Sequence, residues 1–398
     1  MRIKLLIIIV VLGLFGYAGG FIYRNLRGVR PALGPVAQTT PIPSEAINTT
    51  GLPLTLPSGF SISVFARNFG SPRVLAWDPS GVLLTSIPSQ GKVVALIDAN
   101  NDGSSDETIT VMEGLSLPHG LAFRDGKLYI AETNQVAIYD YNVDTKKATN
   151  KKKLFDLPGG GNHFSRTIGF GPDGKLYISV GSSCNVCYEK DERRARILVA
   201  NSDGSDMKPF ANGLRNSVFF TWHPSTQEMW ATEMGRDLLG DDLPPDEVNI
   251  IRSKGTRHYG WPSCYGKQIA DRDYIKSYNK NHISPEGFCL SLTEPSFLDL
   301  PAHSAPLGLA FIPDSWPKDL RGDLLVSYHG SWNRSEPTGY KIVRFDLNNN
   351  FAPADFVTGW LTGGSALGRP VDLLFDPQGN LYISDDKAGV VYKIVSSD

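Results

Sequence analysis

Three arginines and three histidines recur along the sequence, each placed just before an apolar run that ends in a turn. In chain order they are Arg73, His119, His163, Arg215 (followed directly by Asn216), His303 and Arg369. Guanidinium groups bind multiply charged, planar anions through bidentate hydrogen bonds and stacking. A neutral imidazole beside such cations resists protonation and is able to accept a proton from a substrate. If the fold brings these side chains together, the sequence predicts a site for an anionic cofactor or substrate with general-base chemistry.

Each of these side chains also has a structural interpretation. A histidine at the start of a strand is commonly a hydrogen-bonded packing residue, and an arginine there is able to bridge neighbouring sheets. Both interpretations stay open for His119, His303 and the arginines taken one at a time. The histidines at positions 223, 258 and 282 have no comparable neighbours in the sequence and are interpreted as structural.

A second group of polar residues lies in the segment 233–249, which reads EMGRDLLGDDLPPDEVN. It combines several carboxylates with turn-forming glycine and proline. Because Ca²⁺ prefers carboxylate and backbone carbonyl oxygens, this segment is a candidate calcium loop. A solvated acidic loop without a metal is the alternative.

The elements that must position these residues form a repeat of about 50 residues. Two of its copies, 118–131 and 166–179, show the unit clearly: an apolar strand, a turn with glycine, and a second strand rich in Leu, Tyr and Ile. The six copies start at positions 72, 118, 166, 216, 306 and 370, and the long gap before the fifth holds an excursion from about 236 to 295. Short strands at this spacing are typical of blades of four antiparallel strands.

We therefore predict an all-β, six-bladed β-propeller over residues 58–398. The segment 60–66 is expected to complete the last blade beside 389–394, which removes an exposed sheet edge. Two stacked β-sandwiches are the rival architecture, and they explain six copies of one motif poorly. Because the innermost strand of every blade starts at the same face, the arginines and histidines should surround one mouth of the central channel.

Composition and charge narrow the class of protein. The 398 residues are 41% hydrophobic and 20% charged, which excludes an intrinsically disordered chain, and 40 glycines with 27 prolines indicate frequent turns. No block of Lys or Arg is large enough for a nucleic-acid footprint. After the first 44 residues there remain 34 basic and 41 acidic side chains, so any anion site must be local.

The N-terminus has the pattern of a targeting segment. Residues 5–23 are 19 consecutive uncharged, mostly apolar residues behind Arg2 and Lys4, and they just reach across a bilayer core of about 30 Å. Residues 1–30 are therefore predicted to be either a cleaved signal peptide or a signal anchor, with the anchor favoured because the apolar run continues past any cleavage site. Residues 31–57 hold six prolines and form a semi-rigid linker. Both interpretations place the propeller outside the cytoplasm.

Four cysteines are then expected to form two disulfides. An even number in an oxidising compartment is typical of bridges, and of the three possible pairings the local one, 184–187 with 264–289, is the simplest. A zinc site at the Cys-x-x-Cys is the alternative, with no further ligand at a suitable spacing.

Several motifs taken together resemble the glucose/sorbosone dehydrogenase family over roughly residues 59–395. They are Asn162-His163, Leu214-Arg-Asn216, Glu233-Met-Gly235, Asp246-Glu-Val-Asn249 and Tyr259-Gly-Trp-Pro262. Later segments, 307–311, 327–334 and 368–372, are more similar to its sorbosone-dehydrogenase-like branch than to the soluble glucose enzymes. Members of this family are exported six-bladed propellers that use pyrroloquinoline quinone (PQQ) and calcium to oxidise aldoses or aldehydes.

The resemblance implies a role for each matched position. His163 would be the general base, and Arg215 with Asn216 would hold the quinone oxygens of PQQ. Arg73 and Arg369 would hold its carboxylates. The backbone carbonyls of Gly235 and Arg236 would hold calcium.

The sequence departs from the glucose enzymes at two places. Where those enzymes have a cofactor lysine, this chain has His329, with Arg334 as a substitute, and we assign both to the cofactor together with His303. The second arginine of their last-blade pair is Val371 here, which puts glucose specificity in doubt.

Two other functions stay open at this point. One is a calcium-dependent, lactonase-like hydrolase, and the other is a non-catalytic propeller that binds a glycan or a protein on a membrane-tethered stalk. For the dehydrogenase we expect a sugar or aldehyde as substrate, a quinone or cytochrome of unknown identity as electron acceptor, no nucleic acid, and membrane contact through the N-terminal segment only.

Overall fold

A computed structural model of the chain describes residues 46–252, 257–275 and 284–397, together with residues 13, 16 and 17. Apart from those three residues, the predicted signal segment 1–30 lies outside the described residues, as does the linker up to residue 45. Within the described part of the chain, no helix is long and apolar enough to cross a membrane.

Short strands make up almost all regular structure in the described residues. The first half of the chain contains β1 (Ile47–Asn48), β2 (Phe60–Arg67), β3 (Leu75–Trp77), β4 (Leu83–Ile87), β5 (Lys92–Ile97), β6 (Glu107–Met112), β7 (Leu121–Arg124), β8 (Lys127–Glu132), β9 (Gln135–Asn142), β10 (Lys147–Asp156), β11 (Ile168–Phe170), β12 (Leu176–Val180), β13 (Arg196–Ala200) and β14 (Lys208–Asn212). A single 3₁₀ turn, Pro88–Gln90, interrupts this series within the described part.

The second half continues in the same manner, with one described α-helix. Its elements are β15 (Phe220–Trp222), β16 (Met229–Glu233), β17 (Asp246–Ile251), β18 (Arg257–His258), β19 (Cys264–Tyr265), β20 (Ile269–Ala270), α1 (Pro285–Leu292), β21 (Leu298–Leu300), β22 (Pro306–Phe311), β23 (Leu324–Tyr328), β24 (Lys341–Asp346), β25 (Ala352–Val357), β26 (Leu361–Thr362), β27 (Ser365–Ala366), β28 (Pro370–Phe375), β29 (Leu381–Asp385) and β30 (Val390–Ser396).

Six sheets of four or five strands confirm the six-bladed β-propeller, and two short two-stranded sheets, β19–β20 and β26–β27, lie in its loops. Blades 1 and 2 are β3–β6 and β7–β10, blade 3 is β11–β14, blade 4 is β15–β17 with β21, blade 5 is β22–β25, and blade 6 is β28–β30 with β2. The second strand of most blades is buried at every residue, as in β4, β12, β16, β23 and β29. Strands covered on both faces are mostly apolar, and this explains the repeated Leu-Tyr-Ile runs.

The ring closes by pairing the two ends of the propeller. Strand β2 runs antiparallel to β30, with Phe60 opposite Ser396 and Ile62 opposite Ile394. The predicted closure is therefore confirmed, and the last blade gains its outer strand from the start of the propeller. Strand β1 adds to β2 in parallel on the outside.

The inner strands pack closely around the axis. Gly120, just before β7, donates its N–H to the carbonyl of Arg166 at 2.9 Å, and a Cβ atom at this glycine would lie 2.4 Å from that oxygen. The N–H of Leu75 in β3 donates to Asp372 of β28 at 2.8 Å. Below the polar residues, buried side chains from five blades belong to one continuous apolar cluster: Val74, Leu121, Val218, Leu307 and Val371. We call this group the apolar floor.

The predicted excursion is present between β17 and β21, and it carries one of two disulfides. Cys264 and Cys289 are bonded and buried, while Cys184 and Cys187 are bonded within the loop after β12. No cysteine is free. The predicted local pairing is confirmed, and the zinc alternative for the Cys-x-x-Cys is wrong.

Candidate active site

Blades 5, 6 and 1 bring four polar residues into one cluster, here called the last-blade cluster: Arg73, His329, Arg369 and Asp386. The first three were predicted from the sequence, and Asp386 was not. Asp386 accepts hydrogen bonds from Nη1 of Arg73 at 2.6 Å and from Nε2 of His329 at 2.9 Å. The Nδ1 atom of His329 faces Nη1 of Arg369 at 3.3 Å. Because a guanidinium only donates, Nδ1 is the acceptor, and His329 is neutral with its proton on Nε2.

The charges in this cluster do not cancel. Burial acts to raise the pKa of Asp386, but its hydrogen bond with His329 and the charge of Arg73 hold that pKa well below its usual range. Burial lowers the pKa of His329, against the effect of Asp386. Two cations and one carboxylate therefore remain, and the cluster carries a net positive charge.

Two guanidinium groups of this cluster have unmet hydrogen-bonding capacity. The Nε–H of Arg73 is buried without a partner. Arg369 donates to the carbonyl of Ser331 at 3.2 Å and to the hydroxyl of Tyr340 at 3.1 Å, and it lies over the Tyr340 ring at 5.1 Å. No carboxylate in the described part of the chain pairs with it. The last-blade cluster is therefore suited to receive an anion.

Arg215, at the start of blade 4, is in the opposite situation. Its Nε and Nη2 atoms donate to the carbonyl and side-chain oxygens of Asn185, at 2.8 and 2.9 Å. Nη1 donates to the carbonyls of Gly235 and Met234 at 2.8 and 3.3 Å, and Nη2 also reaches Asp237 at 3.0 Å. Five acceptor atoms thus hold this buried guanidinium in one orientation.

Asn216 and His163 lie side by side at the junction of blades 3 and 4. A Cβ atom at Gly181 would be 2.7 Å from both Oδ1 of Asn216 and Cβ of His163, so only glycine permits this approach. The backbone N–H of Asn216 donates to Glu233 at 2.9 Å, which fixes its position.

His163 has the geometry of a proton acceptor. Its Nδ1 lies 2.9 Å from the carbonyl oxygen and 3.0 Å from the hydroxyl of Ser182, so Nδ1 carries the proton and Nε2 holds the lone pair. No protein group of the described chain hydrogen-bonds Nε2. Burial, followed by the charge of Arg215 and those of Arg166 and Arg194, lowers the pKa of His163 to about 3. The imidazole is therefore neutral near pH 7.

Two arginines that sequence reasoning did not select hold the loop bearing His163. Arg166 is fully buried and donates to the carbonyls of His163 and Pro158, at 2.9 and 2.8 Å. Arg194 donates to Pro158 and to Gly159 at 3.1 and 2.6 Å. These contacts fix the glycine-rich segment 158–163 and add positive charge behind the histidine.

His119 is placed away from solvent. It is fully buried, its Nε2 has no partner, and its ring meets Phe219 edge-on at 5.6 Å. Burial and the charge of Arg73 lower its pKa well below the ordinary value. This environment agrees with the structural interpretation of His119.

His303 and Arg334 contact the segment 236–242 and not the other predicted residues. Nε2 of His303 lies 2.8 Å from the carbonyl oxygen of Gly240. Arg334 donates to Asp242 at 2.8 Å and to the carbonyl of Asp241. Both side chains therefore hold this segment in place, and each already has a hydrogen-bond acceptor.

Three carboxylates at the ends of the acidic segment are buried, whereas Asp242 in its middle is exposed. Burial raises the pKa of Glu233 well above its ordinary value, that of Asp246 to about 6 and that of Glu247 to about 7. Asp246 accepts the N–H of Gly235 at 2.8 Å and so holds the backbone there. The side chain of Arg236 pairs with Asp271 at 2.6 Å.

No set of three carboxylate or histidine ligand atoms gathers there in the described residues. Among the described residues, the one group of three His, Cys, Asp or Glu ligand atoms is Cys184, Cys187 and Glu189. Both of its cysteines are in a disulfide. A calcium ion near Gly235 would therefore depend on backbone carbonyls, in agreement with the ligands that the resemblance implies.

Sequence reasoning missed the partners of the arginines: Asn185, Asp237 and Asp386. It also missed Asn333, whose Nδ2 donates to Asp237 at 3.0 Å and links blades 4 and 5.

The sequence carries a signal for a different set of carboxylates, because an acid ends the second strand of blades 2, 4 and 6. In blades 4 and 6 that acid accepts a backbone N–H from the segment before the inner strand: Glu233 accepts from Asn216 at 2.9 Å, and Asp385 accepts from Arg369 at 2.8 Å.

Comparison with solved structures gives the same architecture. The holo form of the PQQ domain of pyranose dehydrogenase from Coprinopsis cinerea superposes with a TM-score of 0.73 at 22% identity, covering 88% of this chain and 98% of that one. The calcium structure of the Trichoderma reesei protein of carbohydrate-active enzyme family AA12 superposes with a TM-score of 0.71 at 21% identity, covering 88% and 100%. Likeness at this identity shows the fold.

Sequence comparison shows the family. An uncharacterised protein of Borreliella burgdorferi is 31% identical over 372 residues, covering 89% of this chain and 93% of that protein. The PQQ-dependent pyranose dehydrogenase of Coprinopsis cinerea is 26% identical over 86% of this chain, which spans 54% of that longer enzyme. The model of the TrAA12-like family matches residues 54–397. The chain belongs to the TrAA12-like family.

Proposed function

We propose that this protein is a PQQ- and calcium-dependent dehydrogenase that oxidises an aldose or a related aldehyde, with His163 as the general base. Two observations together carry the proposal. The imidazole of His163 is neutral and anchored with its Nε2 free, and the guanidinium groups of Arg73 and Arg369, on other blades, have unmet hydrogen-bonding capacity. The similarity to the PQQ-dependent pyranose dehydrogenase of Coprinopsis cinerea and to the PQQ-dependent sugar dehydrogenase of Hypocrea jecorina supports it.

The residues present fit PQQ, which is a flat ring with three carboxylates. The buried Nε–H of Arg73 lacks an acceptor, and Arg369 has no carboxylate partner in the described chain. The buried Oδ1 of Asn333 also lacks a partner. Arg73 and Arg369 would hold carboxylates of the cofactor, while Asn216 would hold a quinone oxygen. Both ring nitrogens of His329 and all five N–H groups of Arg215 already have partners, so His329 would orient Arg369 and Arg215 would act on the cofactor through its charge.

The segment after β16 offers calcium one suitable type of ligand. The carbonyl of Gly235 accepts one hydrogen bond from Arg215, which leaves its second lone pair for a cation. Arg236 directs its side chain to Asp271, so its carbonyl is the remaining candidate. Since Arg215 lies beside these oxygens, calcium would bind best together with an anionic ligand that offsets both charges.

The residues of this chain then divide the chemistry between them. Bound PQQ supplies the hydride acceptor. Nε2 of His163 accepts the proton of the substrate hydroxyl, while the hydrogen bond from Nδ1 to Ser182 keeps the ring oriented. Arg215 stabilises negative charge that develops next to it, and its five acceptor atoms keep it from reorienting during the reaction. The apolar floor offers water no hydrogen-bonding side chains on that side.

We further propose that the substrate is not restricted to glucose. Val371, at the position of the second arginine of the glucose enzymes, is fully buried in the apolar floor and offers no polar contact. His329 replaces a lysine and is already engaged with Asp386. A sorbosone-like aldehyde or a range of aldoses is therefore expected.

Dye-coupled oxidation of a panel of aldoses and aldehydes by the full chain, with added PQQ and Ca²⁺, tests the proposal. We expect activity that needs both additions, and loss of activity in His163→Ala with cofactor absorbance retained. His223→Ala, in the turn between β15 and β16, is the matched control and should remain active. Full activity of the His163→Ala protein would remove the assignment of the base.

Two further assays of the same protein separate the two other functions. Calcium-dependent lactone hydrolysis without PQQ would support the hydrolase, and glycan binding without turnover would support the non-catalytic propeller. We favour the dehydrogenase because blades 1 and 6 present arginines that lack a full set of acceptors, which suits an anionic cofactor.

For localisation we propose that residues 1–30 carry the chain out of the cytoplasm and anchor it, with residues 31–57 as the spacer. The uncharged run 5–23 behind two basic residues supports this. Fractionation of cells that make the full chain, with N-terminal sequencing of the product, tests it. Recovery of the intact chain in the cytoplasmic fraction would contradict the proposal, and a cleaved, released chain would favour the signal peptide.

A further inference from the structure

A small covalent ring lies next to the proposed catalytic residues. The disulfide between Cys184 and Cys187 closes it around Asn185 and Val186, three residues after β12, and we call this segment the disulfide ring. The hydroxyl of Ser182 donates to the carbonyl of Cys184 at 2.7 Å. The same serine is the partner of Nδ1 of His163. Two hydrogen bonds through Ser182 therefore connect the ring to the proposed base.

Inside the ring, Asn185 is the main support of Arg215. Its carbonyl and side-chain oxygens accept two of the hydrogen bonds from that guanidinium, at 2.8 and 2.9 Å. The side-chain oxygen also accepts the N–H of Asp237 at 2.8 Å, and its amide donates to the Asp237 carbonyl at 3.1 Å. Nε1 of Trp261 reaches the Asn185 carbonyl at 3.3 Å. One residue thus orients both Arg215 and the carboxylate that pairs with it.

The four ring residues contain no strand or helix that would hold Asn185 otherwise. They lie in an irregular loop, and all four are half-buried. Closure by the disulfide restricts the backbone on both sides of Asn185, so the oxygens keep the geometry that Arg215 requires. Without the bond, the loop gains conformational freedom that these hydrogen bonds would have to overcome.

We propose that the disulfide ring makes Asn185 a positioning residue for Arg215, so that the oxidised ring is required for full turnover and its reduction releases the guanidinium. This inference rests on the proposed function for its effect on turnover, but the positioning itself does not. Reduction by an external dithiol is balanced: the dithiol loses two electrons and two protons to form its own disulfide, and the Cys184–Cys187 bond becomes two thiols.

The chain contains its own control. The second disulfide, Cys264–Cys289, is buried, with its cysteines exposed by 3% and 0%, whereas Cys184 and Cys187 are half-buried. Because exchange requires that a thiolate reach the sulfur, mild dithiol treatment should open the ring first. Mass mapping of alkylated cysteines will show which bond has opened.

The decisive readout is the hydrogen exchange of the Arg215 Nε–H in the full chain without cofactor, assigned by comparison with Arg215→Lys. We expect this proton to be protected in the oxidised protein and to exchange at least about tenfold faster in Cys184→Ser/Cys187→Ser and after selective reduction. Cys264→Ser/Cys289→Ser should leave it protected. Unchanged protection in the ring-open protein would overturn the inference.

A pair of substitutions at Asn185 gives a second test that keeps the disulfide intact. Asn185→Asp retains the side-chain oxygen that accepts from Arg215 and from the Asp237 N–H, whereas Asn185→Ala removes it. We expect kcat to fall about 10- to 100-fold in Asn185→Ala, with KM changed less and the acidic limb of the kcat profile moved to higher pH, since His163 would lose the nearby charge of Arg215. Asn185→Asp should recover most of the loss, and equal losses in both variants would contradict the inference.

These readouts also separate the two proposals. If the oxidised protein shows no PQQ-dependent oxidation but the Arg215 proton loses protection when the ring opens, the positioning role stands and the proposed function fails. If oxidation is found and neither ring opening nor Asn185→Ala changes the proton or kcat, the proposed function stands and the positioning role fails.

Discussion

Arg215 and the last-blade cluster present the same side chain in two different states. Arg215 is held by five acceptor atoms, most of them on backbone or amide groups, and has no freedom to reorient. Arg73 pairs with Asp386 but keeps a buried N–H without a partner, and Arg369 has no carboxylate partner in the described chain. The difference teaches that equivalent positions in a repeat can carry either a fixed cation or a receptive one.

The two states suit different tasks. A fixed guanidinium stabilises charge that develops in a transition state, because no reorganisation is needed when the charge appears. A receptive one contributes binding energy to a ligand that is already charged. We therefore expect substitutions at Arg215 to change turnover and substitutions at Arg369 to change affinity.

Arg215→Met should give the largest effect. The loss of the fixed cation removes several charge-assisted hydrogen bonds and should lower kcat about 10²- to 10³-fold at saturating PQQ and substrate. Steady-state kinetics of the loaded enzyme measures it, with retained β-sheet circular dichroism as the folding control. If kcat is unchanged while the PQQ affinity collapses, Arg215 belongs with the receptive arginines and the contrast is lost.

Arg369→Met should act on the other side of the comparison. One charge-assisted hydrogen bond is worth about 1.5–3 kcal/mol, so the Kd of PQQ should rise about 10- to 100-fold. The kcat at saturating cofactor should stay within a few fold. Titration calorimetry with PQQ gives the Kd, and a large fall in kcat without a change in Kd would be inconsistent with a receptive arginine.

Asp386→Asn sharpens the comparison because this substitution is expected to increase the affinity for PQQ. The substitution removes the negative charge that competes with the ligand for Arg73, so PQQ should bind about tenfold more tightly, at some cost in thermal stability. Asp242→Asn, which alters the exposed partner of Arg334, is the matched control and should change the Kd less than about twofold. Weaker binding in Asp386→Asn would show that this carboxylate organises the arginines rather than opposing the ligand.

The smallest effect is a pH dependence of stability from His163. Its pKa is about 3 in the folded protein against 6.5 for a free histidine, so between these values the unfolded chain binds a proton that the folded chain does not. The free energy of unfolding therefore falls as the pH drops from about 6.5 towards 3, by an amount on the order of 2 kcal/mol at pH 5. His163→Gln should show a smaller loss of Tm between pH 7 and pH 5 than the wild type. Equal losses would mean that neither burial nor the arginines lower the pKa of His163 in the folded protein.

Much of the fold could be predicted because its signals are local and repeated. The Leu-Tyr-Ile strands recur once per blade, and their burial on both faces requires the same apolar run each time. The positions of His163, Arg215 and Arg369 follow from the phase of that repeat. Closure of β2 on β30 and both disulfides followed from simple arguments about sheet edges and cysteine number.

The partners of these residues could not be predicted, because they depend on contacts between distant parts of the chain. Arg73 and Asp386 are 313 residues apart in sequence and 2.6 Å apart in space. Nothing in the Cys-Asn-Val-Cys motif indicates that Asn185 accepts from Arg215. The acidic segment was misjudged for a similar reason: Glu233, Asp246 and Glu247 look like loop residues by composition, yet each is buried at the end or start of a strand.

The apolar floor has a consequence for traffic through the molecule. Hydrocarbon side chains from the innermost segments of five blades pack into one buried cluster, so we expect no solute to pass from one face of the propeller to the other. Whatever binds at the mouth must leave by the route through which it arrived. A reactant and its product would then use the same opening of the channel. Any partner that collects electrons must approach from that same side.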